Sequence, residues 1–159
     1  MSKTTYQNNV GKESKTARAI TANAPISLKF SNEVVNQIKG KYVNKVLAWL
    51  KRIENEEEFL PLKMYDKKVA HRKGESKEGA KAGRYPKKVV KAWAELLESA
   101  KNNADFKGLD QEKLVIIHAF ASSGINRYSY QAKGKIGGKA RRKNATHIEV
   151  IVTEVGGKK

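Results

Sequence analysis

The chain has 159 residues, which is enough for one domain with its own core, and it contains no cysteine. Its 33 Lys and Arg against 16 Asp and Glu give a formal net charge of +17, far above the magnitude of about 2–8 that solubility requires. This composition excludes disulfides, thiolate zinc sites and cysteine nucleophiles. It favours a polyanionic partner, above all a nucleic acid.

Membrane and secretion signals are missing from the sequence. No run approaches the roughly 20 apolar residues of a membrane span, and MSKTTYQNNVGK lacks the apolar segment of a signal peptide. We therefore expect a cytoplasmic protein with no membrane partner.

Residues 1–24 are rich in Lys, Asn, Thr and Ser and contain few apolar side chains. Such a segment buries too little surface to offset its ordering entropy. We predict a basic N-terminal arm over residues 1–24 that becomes ordered on RNA, followed by a single domain over residues 25–159.

The domain is predicted to begin with a strand in PISLKF, where Ile26, Leu28 and Phe30 alternate with polar residues. Ser31 is then predicted to be the N-cap of a short helix, with Glu33 in its first turn. We therefore predict a strand over residues 26–30 and a helix that starts after Ser31.

Apolar residues recurring every three or four positions predict three helices. The first closes at Gly40, the second begins near Tyr42 and ends in the acidic run ENEEE, and the third follows Pro86 and stops at Gly108. Between the second and third helices, residues 60–85 show little periodicity and much Lys and Gly. A structureless loop this long is uncommon in a compact domain, so we interpret it as a basic insertion that is functional or becomes ordered on its partner.

Two apolar runs, LVIIHAFA and THIEVIVTEV, predict neighbouring strands. With the first strand they give an α+β fold of three helices packed on a three-stranded, mostly antiparallel sheet. About twenty residues separate these two runs, whereas hairpins usually turn within two residues. We predict that both strands continue beyond the body as an extended hairpin over residues 122–146.

The hairpin is dense in positive charge and glycine, and positions 113–148 contain no Asp or Glu. Its tyrosines offer faces on which bases can stack. An isolated two-stranded ribbon is marginal in water, so we expect a nucleic acid to support it. Its length favours insertion into folded RNA over contact with duplex DNA.

The order of several motifs resembles one known family. IKGKYVNKVLAWL, GRYPKKVVKAW, NNADFKGLDQEKLVI, a hairpin with AKGK, and THIEVIVTE together resemble large-subunit ribosomal protein family twenty-two, in its archaeal and eukaryotic branch. GRYPKK and the basic insertion before it resemble an addition of that branch which bacterial members lack, and the ending VGGKK, without the lysine-rich tail of eukaryotic members, favours an archaeal-type member. The resemblance implies a structural constituent of the large ribosomal subunit that binds rRNA, aids its folding and assembly, and contacts neighbouring ribosomal proteins.

The resemblance also implies that the hairpin tip lines the nascent-peptide exit tunnel. The family's tip pattern, Arg-Ala-x-Gly-Arg-Ala, falls on residues 131–136, where Gln131, Lys135 and Ile136 depart from it. These departures change the bulk and charge expected at the tunnel wall. The predicted tip residues are Gln131, Ala132, Lys133, Gly134 and Lys135.

Charge, aromatic placement and the resemblance together predict the RNA-contacting residues. They are Lys12, Lys15, Arg18, Lys39, Lys41, Lys63, Lys67, Lys68, His71, Arg72, Arg84, Tyr85, Lys87, Lys88, Arg127, Tyr128, Tyr130, Lys133, Lys135, Lys139, Arg141, Arg142, Lys143 and His147.

An enzyme is the main alternative class, and we do not favour it. His71, His118 and His147 lack the local spacing of a metal pair, and His118 in its apolar strand is more typical of a satisfied core histidine. We expect no cofactor, no metal and no homo-oligomer. A free-standing nucleic-acid chaperone or architectural binding protein stays open as a second alternative, because affinity for phosphates carries no sequence information.

Overall fold

The computed structural model describes residues 6–8, 13–73, 80–130, 132–135 and 137–155. It contains three helices: α1 (Leu28–Ile38), α2 (Val43–Glu54) and α3 (Lys87–Phe106). The strands are β1 (Thr16–Ala24), β2 (Leu60–Pro61), β3 (Gly83–Arg84), β4 (Leu114–Ser123), β5 (Arg127–Tyr130), β6 (Ala140–Lys143) and β7 (Thr146–Glu154), and a 3-10 turn (Glu13–Lys15) precedes β1. The predicted α+β class is confirmed.

The main sheet has the strand order β1-β7-β4, and both pairings are antiparallel. The predicted pairing of the two apolar runs, now β4 and β7, is confirmed. The inward residues of β7 are Ile148, Val150 and Val152, which join one core cluster with the helices. Trp93 of α3 is fully buried in this cluster, as its place in the apolar stripe indicates.

The third strand of the sheet is not where the alternation predicts it. Residues 26–30 do not form a strand, because Leu28 begins α1, and residues 16–24 of the predicted arm form β1 instead. Five alternating residues fit a helix start equally well, since Phe30, Val34 and Ile38 share one helical face. β1 was missed because its inward residues, Ala17 and Ala19, are small and not strand formers; pairing with β7 overrides their propensity.

α1 also starts earlier in the structure than the sequence predicts. Ser27, not Ser31, is the N-cap, with φ −78° and ψ 122°, and Ser31 lies inside the helix, where its hydroxyl donates to the Ser27 carbonyl over 2.9 Å. Glu33 is therefore not in the first turn. The other helix ends agree with prediction: Gly40 follows α1 and Gly108 follows α3, with φ of 76° and 73°, the left-handed conformation that favours glycine.

The face of the sheet opposite the helices carries a small polar cluster. His118 Nε2 lies 2.9 Å from Glu149 Oε1, and the backbone N–H of Gln7 donates to the same oxygen over 3.1 Å. His118 is thus a satisfied histidine, as predicted. Residues 6–8 therefore contact the sheet through Gln7.

The described part of the insertion, residues 60–73 and 80–85, contains paired segments. Its two ends pair as β2 and β3, His71 bridges Ala82, and the Leu62 N–H donates to the Ala82 carbonyl over 3.0 Å. A further anchor is Glu33, which is fully buried in the middle of α1. The insertion is therefore fixed to the body at residues 60–65 and 82–84.

Candidate nucleic-acid interface

The predicted hairpin forms a separate ribbon, β5 paired with β6, rather than an unbroken extension of β4 and β7. β4 stops at Ser123 and β5 begins at Arg127, so residues 124–126 make a joint between body and ribbon. The Gly124 N–H still donates to the Ala145 carbonyl across the joint over 2.8 Å. The ribbon is therefore a separate two-stranded sheet that keeps a backbone bond at its joint with the body.

The ribbon presents two chemically different faces. In its register, Arg127 is opposite Lys143 and Ser129 is opposite Arg141. Tyr128 is opposite Arg142, and Tyr130 is opposite Ala140. Residues directly opposite each other share a face of a pleated ribbon. One face therefore carries three cations, Arg127, Arg141 and Lys143, and is called the cationic face. The other carries two tyrosines, Tyr128 and Tyr130, together with Arg142, and is called the aromatic face.

Both faces are open to a partner. Tyr128 and Tyr130 are 59% and 72% exposed, although burial of such rings is strongly favourable. Arg127 lies directly opposite Lys143, and like charges at opposite positions are destabilising. A polyanion with exposed aromatic bases relieves both costs, since phosphates neutralise the cations and bases stack on the rings.

Glycines shape the turn in the described part of the tip. Gly134 and Gly138 have φ of 93° and 76°, and the Gly137 N–H donates to the Gly134 carbonyl over 2.8 Å. The predicted tip residues Ala132, Lys133 and Lys135 are exposed. Gln131 and Ile136 lie outside the described residues.

Asn23 fixes the joint, and its role was not predicted. Its Oδ1 accepts the Ile125 N–H over 3.0 Å, its own N–H donates to His147 Nδ1 over 3.2 Å, and its φ is 54°. Asn is one of the few side chains that tolerate this conformation. His147 is thereby assigned a packing contact through Nδ1, beside its predicted RNA contact.

The insertion and the first turn of α3 carry a second group of predicted RNA contacts. The Arg72 guanidinium lies 5.2 Å from the centre of the Tyr85 ring, and Arg84 Nη1 donates to the carbonyls of Ala70 and Gly83 over 3.2 and 2.8 Å. The lysines of this group and His71 are exposed: Lys63, Lys67, Lys68, Lys87 and Lys88.

Glu33 holds the loop that carries three of these lysines. Its Oε1 accepts the N–H groups of Met64 and Tyr65, each over 2.8 Å, and its Oε2 accepts that of Lys63 over 3.2 Å. A buried carboxylate is tolerated when backbone N–H groups satisfy it. The acidic residue is visible in the sequence, but its partners thirty positions away are not.

The remaining predicted contacts lie on the body. Lys15, Lys39 and Lys41 are exposed, and Arg18 on β1 stacks over Tyr6 at 5.8 Å. Lys87 differs from the others because its Nζ lies 2.8 Å from Glu56 Oε1. Lys12 lies outside the described residues. RNA contact by all these residues stays a prediction.

The acidic run at the end of α2 makes hydrogen bonds and an ion pair within the protein. Glu58 accepts the Trp49 indole N–H and the Arg52 Nε–H, each over 3.1 Å. Within the ranges described above, no group of three His, Cys, Asp or Glu side chains could hold a metal ion. No helix in those ranges is long and apolar enough to cross a membrane.

Comparison with known proteins decides the family. The family profile described as "Ribosomal protein L22p/L17e" matches residues 19–153, which include most of β1, all three helices, the ribbon and almost all of β7. The chain belongs to the ribosomal protein L22p/L17e family. It is thus a ribosomal protein of the large subunit, as the resemblance implied, and a member of a structural rather than an enzymatic family.

Relatives of this L22p/L17e chain span nearly its whole length. Each is named "Large ribosomal subunit protein uL22". The protein from Ignicoccus hospitalis is 41% identical over 144 residues, 89% of this chain and 89% of its own. That from Methanocaldococcus jannaschii is 39% identical over 156 residues, 97% of each chain, and that from Staphylothermus marinus is 37% identical over 153 residues, 94% and 96%. These sources are archaea, whose ribosomes are cytoplasmic, so the predicted archaeal type and localisation are confirmed.

Proposed function

We propose that this chain binds large-subunit rRNA through its ribbon, aids the folding and assembly of that RNA, and lines the nascent-peptide exit tunnel with residues 131–135. The observation that carries the proposal is the division of the ribbon into a cationic face and an aromatic face. Folded RNA offers phosphates and unstacked bases within a few ångströms of each other. The two faces match these two chemistries.

The insertion extends the same proposed surface. Arg72, stacked on Tyr85, presents a preorganised cation, and Glu33 fixes the loop of Lys63. We assign phosphate contacts to the cations of the insertion and to Lys39 and Lys41, and we propose that neighbouring ribosomal proteins contact other parts of the body. We also assign an rRNA contact to Lys15, which lies directly before β1.

The two faces can be tested separately by measuring affinity for large-subunit rRNA as a function of salt. Replacing Arg127, Arg141 and Lys143 with Ala removes three phosphate contacts, so the slope of log affinity against log salt should fall by about 2. Replacing Tyr128 and Tyr130 with Ala should cost about 1–3 kcal/mol for each base that stacks and leave the slope unchanged.

Matched variants make this test specific. Phe at positions 128 and 130 keeps the rings and should restore most of the affinity, while Lys91→Ala, at an exposed lysine of α3 outside the predicted contacts, should change neither quantity. An unchanged salt slope in the triple variant would remove the cationic face from the phosphate contacts. Full affinity in the Tyr-to-Ala variant would remove the stacking.

The tunnel part of the proposal needs its own experiment. Deleting residues 132–135 shortens the proposed tunnel-lining tip but leaves both faces of the ribbon in place. We expect the variant to enter large subunits at the wild-type level and to change nascent-chain pausing or sensitivity to tunnel-binding antibiotics. Identical ribosome profiles from the two strains would contradict the assignment of the tip.

A further inference from the structure

A cavity of about 270 Å³ lies where the ribbon joins the body. Its walls combine three kinds of side chain: apolar Pro25 and Ile125, the amides Asn23 and Asn144, and the cations Arg127 and Lys143. We propose that this joint cavity holds one unstacked nucleobase of the rRNA, with an adjoining phosphate between the two cations. The inference rests on the proposed function, because it takes rRNA as the partner, and it adds a single-nucleotide site.

The size and the apolar wall fit one base. Pockets for drug-sized ligands occupy about 300–1,000 Å³, so this cavity suits a smaller flat group. The side chain of Ile125 is 65% exposed although it is apolar. A flat aromatic ring that packs against Ile125 and Pro25 would bury this exposed apolar surface.

The cations at the mouth of the cavity fit a phosphate. Arg127 and Lys143 are directly opposite each other at the first pair of the ribbon. Neither side chain makes an ion pair or hydrogen bond with any residue that the structure describes, and the sequence contains no acid between positions 113 and 148. A phosphate between them would turn a repulsion into two charge-assisted contacts.

The amides supply donors for the edge of a base. Because the Ile125 N–H can only donate, the Asn23 atom that accepts it is Oδ1, which leaves the NH₂ group of Asn23 as a donor. Every nucleobase carries hydrogen-bond acceptors on its edges.

The test is base-specific chemical probing of rRNA in large subunits that carry the full-length variants. Ile125→Trp fills the cavity with an indole ring and should expel the base, so one nucleotide, or two adjacent ones, should become several-fold more reactive at the Watson–Crick edge. Met64→Trp makes the same enlargement at another exposed apolar side chain, on the insertion, and should leave these nucleotides protected. Ile125→Ala removes the wall without adding bulk and should raise reactivity at the same nucleotides.

The outcomes separate this inference from the proposed function. Subunits with wild-type amounts of either Ile125 variant and an unchanged reactivity pattern would overturn the base site. Altered cleavage of the RNA backbone without any altered base would leave a phosphate contact only, and loss of a neighbouring protein without any altered base would assign the cavity to that protein. Both results overturn the inference while the proposed function stands. A wild-type chain that protects no rRNA would overturn the proposed function itself.

Discussion

The side-chain Oδ1 of Asn23, on β1, accepts a hydrogen bond of 3.0 Å from the backbone N–H of Ile125 at the base of the ribbon. This bond links the main sheet to the first residues of the ribbon across the joint. Because β1 is anchored along β7, Asn23 transmits the orientation of the sheet to the ribbon. Asn23 and the backbone bond between Gly124 and Ala145 therefore both constrain the joint from which the ribbon leaves the body.

Asn23→Gly tests this role while keeping the left-handed backbone conformation. Loss of the bond to Ile125 should cost about 0.5–1.5 kcal/mol locally, so the amide hydrogens of the joint and of β5 should exchange faster. The amides of β4 and β7 should keep their protection. Asn23→Asp, which retains an acceptor, should behave like the wild type. Unchanged exchange in the Gly variant would show that the joint is held by other contacts.

Gly124→Ala should strain the same joint from the opposite side. A Cβ at position 124 would lie 2.6 Å from Asn23 Oδ1 and 3.2 Å from the Ala145 backbone. We expect a loss of about 1–3 kcal/mol in the free energy of unfolding, measured by urea denaturation. Asn23→Gly removes the nearest obstacle, so the double variant should lose less than the sum of the two single losses. Strict additivity would contradict contact between the two positions.

Glu33→Gln should release the loop of residues 63–65 from α1. The amide keeps the shape but replaces a charged acceptor with a group that can donate, so the charge-assisted bonds from the three backbone N–H groups are weakened or lost. We expect destabilisation of about 2–3 kcal/mol and faster exchange at residues 63–65. Glu54→Gln, at an exposed position of α2, should change stability by less than about 0.5 kcal/mol. Equal stabilities of the two variants would contradict the anchor.

Glu56 should compete with RNA phosphate for Lys87. The hydrogen bond from Lys87, with its charge, holds the pKa of Glu56 below the ordinary value. A lowered carboxyl pKa means that the pair stabilises the fold above the unfolded-state value and is lost as the pH falls through the folded-state value. Glu56→Gln should therefore steepen the salt dependence of rRNA binding by up to about 1 at neutral pH. The difference in salt dependence between Glu56→Gln and the wild type should disappear as the pH falls. A difference that does not change with pH would contradict the competition.

The elements that carry large apolar side chains at regular spacing were predictable from the sequence. The stripe of α3 that includes Trp93 and the β-branched runs of β4 and β7 identified their elements with nearly correct ends. β1 was not predictable in the same way, because Ala17 and Ala19 are small enough for α3 to pack closely over them and give no hydrophobic alternation. Its strand conformation comes from pairing with β7, which lies far away in sequence.

The charged and aromatic composition of the interface was visible in the sequence, but its geometry was not. The division of the ribbon into two faces follows from the register of β5 on β6, which is set by the turn and by the joint rather than by local preference. Asn23 and Glu33 act on backbone groups 102 and 30–32 positions away. Such contacts satisfy individual N–H groups and leave no periodic pattern to detect.

The most direct test of the central claim is the sedimentation of the native protein in a cell lysate, first at moderate and then at high salt. A chain whose ribbon is inserted into rRNA should migrate with the large subunit and stay there above the salt concentration that removes proteins bound to surface phosphates alone. Sedimentation as a free protein at moderate salt would contradict that claim and favour a free-standing nucleic-acid chaperone.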